Sequence, residues 1–178
     1  MADQLQALAA RVQMCRGIDI SSEMAKQYNL VAKEASYSSE KMHAIQGDLL
    51  DVTATPSPEL ETDAYKKFDF AVMSLALHHV NDVEGMIRRL AERLDEGGVL
   101  VIADWVAESN GGHHKHQNHG HGVHAPHHGG FTEADLRKIF EKAGLGNWGW
   151  KLFEKPLEVP SAPGRQKQGF LARGTKGA

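Results

Sequence analysis

Apolar residues at Leu5, Leu8, Ala9 and Val12 recur at the spacing of one helix face. Residues 12–20 then read as a strand, in which Cys15, Gly17 and Ile18 lead to Asp19. Ser21 and Ser22 are suited to cap a following helix, with Glu23 at the positive end of its dipole. Met24, Tyr28, Val31, Ala32 and Ala35 form the apolar side of that helix, and residues 43–49 make a short strand ending near Asp48. Residues 53–66 contain Pro56 and Pro58 and predict a loop with at most a short helix. Residues 68–77 are nearly all apolar after Asp69, as expected of a central strand covered on both faces.

Asp82 caps the next predicted helix, whose Val83, Met86, Ile87, Leu90 and Leu94 keep helical spacing. Gly97 and Gly98 end it and turn the chain into a second buried strand, residues 99–103. Residues 110–130 break the pattern with glycine and histidine. Order resumes at Thr132, where Thr-Glu-Ala-Asp has the form of a capping box. Leu136, Ile139, Phe140 and Ala143 give the helix stripe and Gly144 its stop; strand-like runs at 150–159 and 169–172 close the chain. Strand–helix units in alternation predict an α/β fold, a mainly parallel sheet with helices on both faces and a C-terminal antiparallel hairpin. Ile18, Val72 and Ile102 are expected on neighbouring parallel strands, with Asp19, Asp48 and Ser74 at one common edge. All 178 residues are read as a single domain interrupted by the insertion at 110–130.

Composition narrows the classes. A hydrophobic content of 41% and a charged content of 24% are those of a globular domain. The net charge of −3 leaves no electrostatic footprint for nucleic acid or an anionic membrane, and Arg165, Lys167, Arg173 and Lys176 read as a solvated basic tail. One cysteine, Cys15, excludes an intrachain disulfide. No basic-then-apolar leader opens the sequence and no apolar run approaches the about 20 residues of a membrane span, so a cytoplasmic location is expected.

Four ordered segments carry a resemblance: Arg16-Gly-Ile-Asp-Ile-Ser21, Gln46-Gly-Asp-Leu49, Phe68 through Leu-His-His to Asp82, and Leu94-Asp-Glu-Gly-Gly through Asp104. Together they resemble the class I S-adenosylmethionine-dependent methyltransferases, especially the small-molecule branch related to quinone-biosynthesis enzymes. The resemblance implies a Rossmann-like fold, S-adenosylmethionine as cofactor and a small organic molecule as methyl acceptor. It implies that Asp19, with Ile20, holds the ribose hydroxyls, and that Asp48 and the Leu49 amide meet the adenine. Ser74 and Leu75 would pass the methionine part, mainly through backbone. An acid at a strand end also suits a plain turn or helix cap, and that alternative stands for both aspartates. His78 and His79 are the candidate catalytic pair, since a neutral imidazole can act as a general base; shaping the site is their other role.

The same resemblance predicts a first strand and a glycine-rich turn before the first helix, yet no glycine precedes Gly17. The expected fold therefore lacks that strand and loop, either as a truncated enzyme or as a degenerate relative acting through protein contacts. By itself the chain is expected to bind the cofactor weakly or not at all and to have little or no methyltransferase activity, and to expose apolar surface that a protein partner or a second copy would cover. Eight of the 11 histidines lie within 113–128. Their loose spacing, without cysteine or nearby acid, predicts adventitious metal binding and no dedicated metal site. Similar fungal methyltransferases carry a histidine-rich insertion here before a His-Gly-Phe-like element, which places His128 at the substrate mouth. A nicotinamide-dependent reductase also uses an acid after its second strand, but it wants a Tyr-x-x-x-Lys pair in helical context, which Tyr28 and Tyr37 do not provide.

Overall fold

The computed structural model describes residues 9, 11–51, 58–108, 129–159 and 162–177. Contacts divide the chain into two compact units, Met1–Lys66 and Lys67–Ala178. Among the described residues, no helix is long and apolar enough to cross a membrane.

The first unit is built on β1 (Cys15–Asp19) and β2 (Met42–Gln46), which pair in parallel with Asp19 opposite Gln46. The connection is helix α1 (Ser22–Glu34), capped by Ser21, whose hydroxyl oxygen accepts from the Met24 amide. Ala25 and Ala32 are its buried residues, and small side chains there permit close approach to the strands. Asn29 docks the helix: its amide donates to the Ala44 carbonyl and its oxygen accepts from the Ala44 amide, both at 2.8 Å. Ala9, helical and fully buried, packs with Ala32 and Met42; the remainder of the helix expected over 5–12 lies largely outside the described residues. The Tyr28 hydroxyl donates to Cys15 Sγ at 3.3 Å, and burial raises its pKa above the ordinary value. The strand expected over 43–49 stops at Gln46, so Asp48 sits in the turn beyond it. Two short 3₁₀ turns, Pro58–Glu61 and Asp63–Tyr65, follow.

In the second unit, β3 (Phe68–Ser74) pairs in parallel with β4 (Leu94–Trp105). Strand β8 (Gly169–Lys176) runs antiparallel to β4 and carries β5 (Leu145–Leu152) on its other side, giving the order β3-β4-β8-β5. A small antiparallel ribbon joins β6 (Leu157–Glu158) to β7 (Gln166–Lys167). Helices α2 (Val83–Glu92) and α3 (Glu133–Lys142) contribute Val83, Ile87, Ala91, Leu136 and Phe140 to one core with Leu100, Ile102, Phe170 and Ala172. Both caps form as the sequence predicts: Asp82 Oδ1 accepts from the Gly85 amide, and Thr132 Oγ1 accepts from the Asp135 amide while donating to its carboxylate. Gly144, at φ 77°, ends α3 in the left-handed region that favours glycine.

Five expectations need correction. The strand expected over 68–77 ends at Ser74, because Leu75 adopts φ 51° and the chain turns away. Phe70 and Val72 are about half exposed, 48% and 52%, so β3 is covered on one face only. Apolar character along a strand does not say which face receives helices. Gly97 and Gly98 do not terminate the helix, which has already ended at Glu92; they lie inside β4, where the register with β3 shifts between Phe68 and Phe70. The run expected over 150–159 begins earlier, at Leu145. Val72 and Ile102 do lie on parallel neighbours, whereas the ladder described for Ile18 is with Ile45 on β2.

The base of the 110–130 insertion is held by backbone and charge. The Phe131 amide donates to the Trp105 carbonyl and the Ala107 amide to that of Phe131, while Lys167 Nζ donates to the Gly129 carbonyl. Glu108 accepts from Arg165 at 2.8 Å and has Lys167 at 3.6 Å. Residues 109–128 themselves, including His128, lie outside the described residues.

Two predictions follow from this packing. Ile102→Ala should destabilise the chain by about 3 kcal/mol in urea unfolding. Val72→Ala, on the uncovered face, should change stability by no more than about 0.5 kcal/mol. Glu108 should titrate below the usual carboxylate range, held there first by the Arg165 hydrogen bond and then by the Lys167 charge. A depressed folded pKa means that the stabilisation is present above the unfolded value and is lost as pH falls through the folded one. A carboxyl ¹³C titration should show that midpoint rising in Arg165→Met.

Candidate active site

Two groups of candidate residues stand at strand ends, one in each unit. In the first unit, Asp19 ends β1 and Asp48 follows β2 by two residues. The two strands are parallel, and the Gly47 amide donates to the Asp19 carbonyl at 2.8 Å, so both acids occupy the same carboxyl edge. Each closes a local turn with a single oxygen: Asp19 Oδ1 accepts from the Ser21 amide and Asp48 Oδ1 from the Leu50 amide, both at 2.8 Å. The turn reading and the binding reading are therefore compatible. One oxygen fixes the loop, and Oδ2 of each has no hydrogen-bond donor among the described residues.

The surroundings are mixed in character. Ile20 is 73% exposed at the tip beside Asp19, and its carbonyl accepts from the Gln46 side chain at 3.2 Å. Leu49 and Ile18 pack on a small core of Ile45, Leu60 and Tyr65. Gly47 sits in close quarters: a Cβ there would lie 2.7 Å from Leu60 Cδ1 and 3.3 Å from Ile18 Cγ2, so the Leu60 side chain would have to shift. The edge thus offers two acceptor oxygens near apolar side chains, which suits a molecule with vicinal hydroxyls and an aromatic base. The residues present fit the adenosine part of S-adenosylmethionine on the chemistry of that donor and acceptor set.

In the second unit, Ser74 lies opposite Ala103, and the Leu75 amide donates to the Ala103 carbonyl at 2.8 Å. The chain then forms a 3₁₀ turn, Leu77–His79, anchored by the fully buried Leu77. The turn brings His78 onto Asp104, the next residue along β4. Asp104 is fully buried: Oδ2 accepts from the His78 amide at 3.1 Å, and Oδ1 accepts from the Trp105 amide at 2.8 Å and shares a 2.7 Å hydrogen bond with His78 Nδ1. His79 is exposed, with its ring 3.9 Å centroid to centroid from that of His78. The pair is therefore not equivalent: His78 is oriented by a carboxylate, and the His79 ring lies tilted against the His78 ring at an interplanar angle of 42°.

Asp104 is the residue that sequence reasoning missed. It was visible as an acid closing an apolar strand, at the parity of the inward-facing Leu100 and Ile102. What the spacing could not show was the turn that meets it. His128 has no described position, and among the described residues no cluster of three His, Cys, Asp or Glu could hold a metal ion.

Comparison with known proteins bears on the family and the fold. The profile of a family described as a methyltransferase domain matches residues 1–148. An uncharacterized methyltransferase of Schizosaccharomyces pombe is 29% identical over 132 residues, 74% of this chain but 45% of that protein. The chain thus spans a little under half the length of this curated relative. Among solved structures, the YcgJ protein of Bacillus subtilis superposes with a TM-score of 0.70 at 15% identity, covering 99% of this chain and 88% of that one. A SAM-dependent methyltransferase of Methanosarcina mazei gives 0.62 at 18% identity, covering 97% and 86%. At these identities the structures share the Rossmann-like fold.

Gly47→Ala should lower the stability of the chain by about 1–3 kcal/mol, since the added methyl meets Leu60 beneath the turn. Leu60→Ala should cost less in the Gly47→Ala background than in the wild-type chain, a non-additivity read by urea unfolding of the two single variants and the double variant.

Proposed function

Because this chain belongs to the methyltransferase-domain family, whose cofactor is S-adenosylmethionine, we propose that it transfers a methyl group from that cofactor to a small organic molecule. The observation that carries the reading is the paired strand-end acids, Asp19 and Asp48, each with one carboxylate oxygen committed to its own turn and one remaining. In this reading Asp19 accepts the ribose hydroxyls and the exposed Ile20 covers the sugar and base from outside. Asp48 accepts from the adenine amino group, and the Leu49 amide donates to the ring. Ser74 and Leu75 serve the methionine part through their backbone. His78 and His79 belong to the acceptor side, with His78 the better held. His128 is assigned to the acceptor mouth on the motif alone.

The cofactor supplies an electrophilic methyl on a sulfonium, which departs as a neutral thioether. The chain has then to bind and orient. Two carboxylate hydrogen bonds to hydroxyls contribute about 1.5–3 kcal/mol each. A second reading, a methyltransferase-like protein acting through contacts with other proteins, draws on the exposed apolar Phe70, Val72 and Leu171 of the four-stranded sheet.

Calorimetric titration separates the two. S-adenosylmethionine and S-adenosylhomocysteine should bind, NAD should not, and Asp19→Ala should weaken binding by at least about tenfold. Equal affinity in Asp19→Ala would overturn the site assignment. Absence of binding by either adenosyl ligand would favour the contact reading.

A further inference from the structure

The face of the four-stranded sheet turned away from α2 and α3 carries an apolar stripe with charge along one flank. Phe70 and Val72 of β3, Val101 of β4 and Leu171 of β8 share this face, because cross-strand partners point the same way. Val72 stands opposite Val101, Val101 opposite Arg173, and Ala103 opposite Leu171. Phe70, Val72 and Leu171 are 41–52% exposed. Single apolar side chains at a surface need no explanation, but these run diagonally over three strands as one stripe, about 16 Å long from strand spacing and rise. That is the length of about three helical turns, and three strands are about as wide as one helix. The flank is basic. Arg173 continues the row of Val72 and Val101, Lys151 lies opposite Leu171, and both are exposed. No aspartate or glutamate occupies a paired position on this face of the sheet. Arg173 lies across β5: a Cβ at Gly149 would sit 2.9 Å from its Nε, so the glycine leaves the long side chain its path. Other cations near the C-terminus are used within the chain, Arg165 and Lys167 by Glu108 and Lys176 by the Leu94 carbonyl. Arg173 and Lys151 have no ion pair or side-chain hydrogen bond among the described residues.

We propose that this face docks one acidic amphipathic helix of a partner protein, about three turns long. Its apolar stripe covers Phe70, Val72, Val101 and Leu171, and carboxylates beside that stripe meet Arg173 and Lys151. The inference gives the contact reading above its partner class, and it holds whether or not the chain transfers methyl groups. Charge decides the occupant. An acidic flank pairs two cations that the chain itself leaves unpaired, beside apolar area that the same helix removes from water. A second copy meeting the sheet face to face brings the same two cations and no acid. An anionic bilayer calls for a broader basic field than two cations in a chain of net charge −3.

The test uses the full chain and three fluorescein-labelled helical peptides of about 14 residues, read by anisotropy. The first has leucines at helical spacing flanked by glutamates, the second carries lysines in place of the glutamates, and the third scrambles the first so that no stripe remains. The glutamate peptide should bind, with the lysine and scrambled peptides weaker by at least about tenfold. Arg173→Gln combined with Lys151→Gln should weaken the glutamate peptide by about tenfold and flatten its salt dependence, with circular dichroism unchanged. Val72→Glu should weaken it by at least about tenfold. Should that variant unfold, the double charge variant, at exposed positions, decides. Equal binding of the three peptides, no binding of the glutamate peptide, or equal binding to wild type and double variant overturns the docking site. So does dimerisation in sedimentation velocity that Val72→Glu abolishes, which gives the face to a second copy. Co-sedimentation with phosphatidylserine vesicles that the double variant loses gives it to a membrane and overturns the helix equally. No readout involves S-adenosylmethionine, so failure of cofactor binding and failure of docking are told apart.

Discussion

Two parallel strands cannot be joined by a tight turn. The chain must cross over and re-enter from the same end, so each strand delivers its last residue to a common edge. Both parallel pairs in this protein obey that constraint, and every candidate group of the described chain depends on it. β1 and β2 bring Asp19 and Asp48 to one edge with α1 as the crossover. β3 and β4 bring Ser74 opposite Ala103, so that the turn after one strand meets Asp104 on the next.

Local chemistry then refines what pairing supplies. Asx-type hydrogen bonds to the Ser21 and Leu50 amides hold each strand-end acid in a fixed direction. Asp104 works differently, because it is buried and its three hydrogen-bond partners leave it no freedom. The strand-end carboxylates, Asp48 exposed and Asp19 half-buried, keep one oxygen each for a ligand. The buried one can act only through the histidine it holds.

The antiparallel additions contribute stability to the second unit. β8 covers the second edge of β4, and Phe170 and Ala172 close the core beneath α2 and α3. Trp150 stacks on Phe170 at a centroid distance of 3.9 Å, which ties β5 to the same core. The opposite face of β3 keeps Phe70 and Val72 exposed, in contrast to the helix-covered side.

Much was legible in the sequence because it depends on neighbours a few residues apart. The caps at Ser21, Asp82 and Thr132 each involve a backbone amide three residues on, and all three form. The apolar stripes of α2 and α3 follow from the helical period, and the strand-end positions of Asp19 and Asp48 follow from where apolar runs stop. Pairing and coverage were not legible, since they join residues far apart in the chain. An apolar run such as Phe-Ala-Val-Met satisfies a covered or a half-covered strand equally, and only packing decided for the latter. A positive φ at Leu75 ended β3 three residues early, where the side chain gave no warning. The Asp104–His78 contact spans 26 positions. Both residues were visible, but the bond between them exists because parallel pairing sets the turn after one strand beside the buried end of its neighbour.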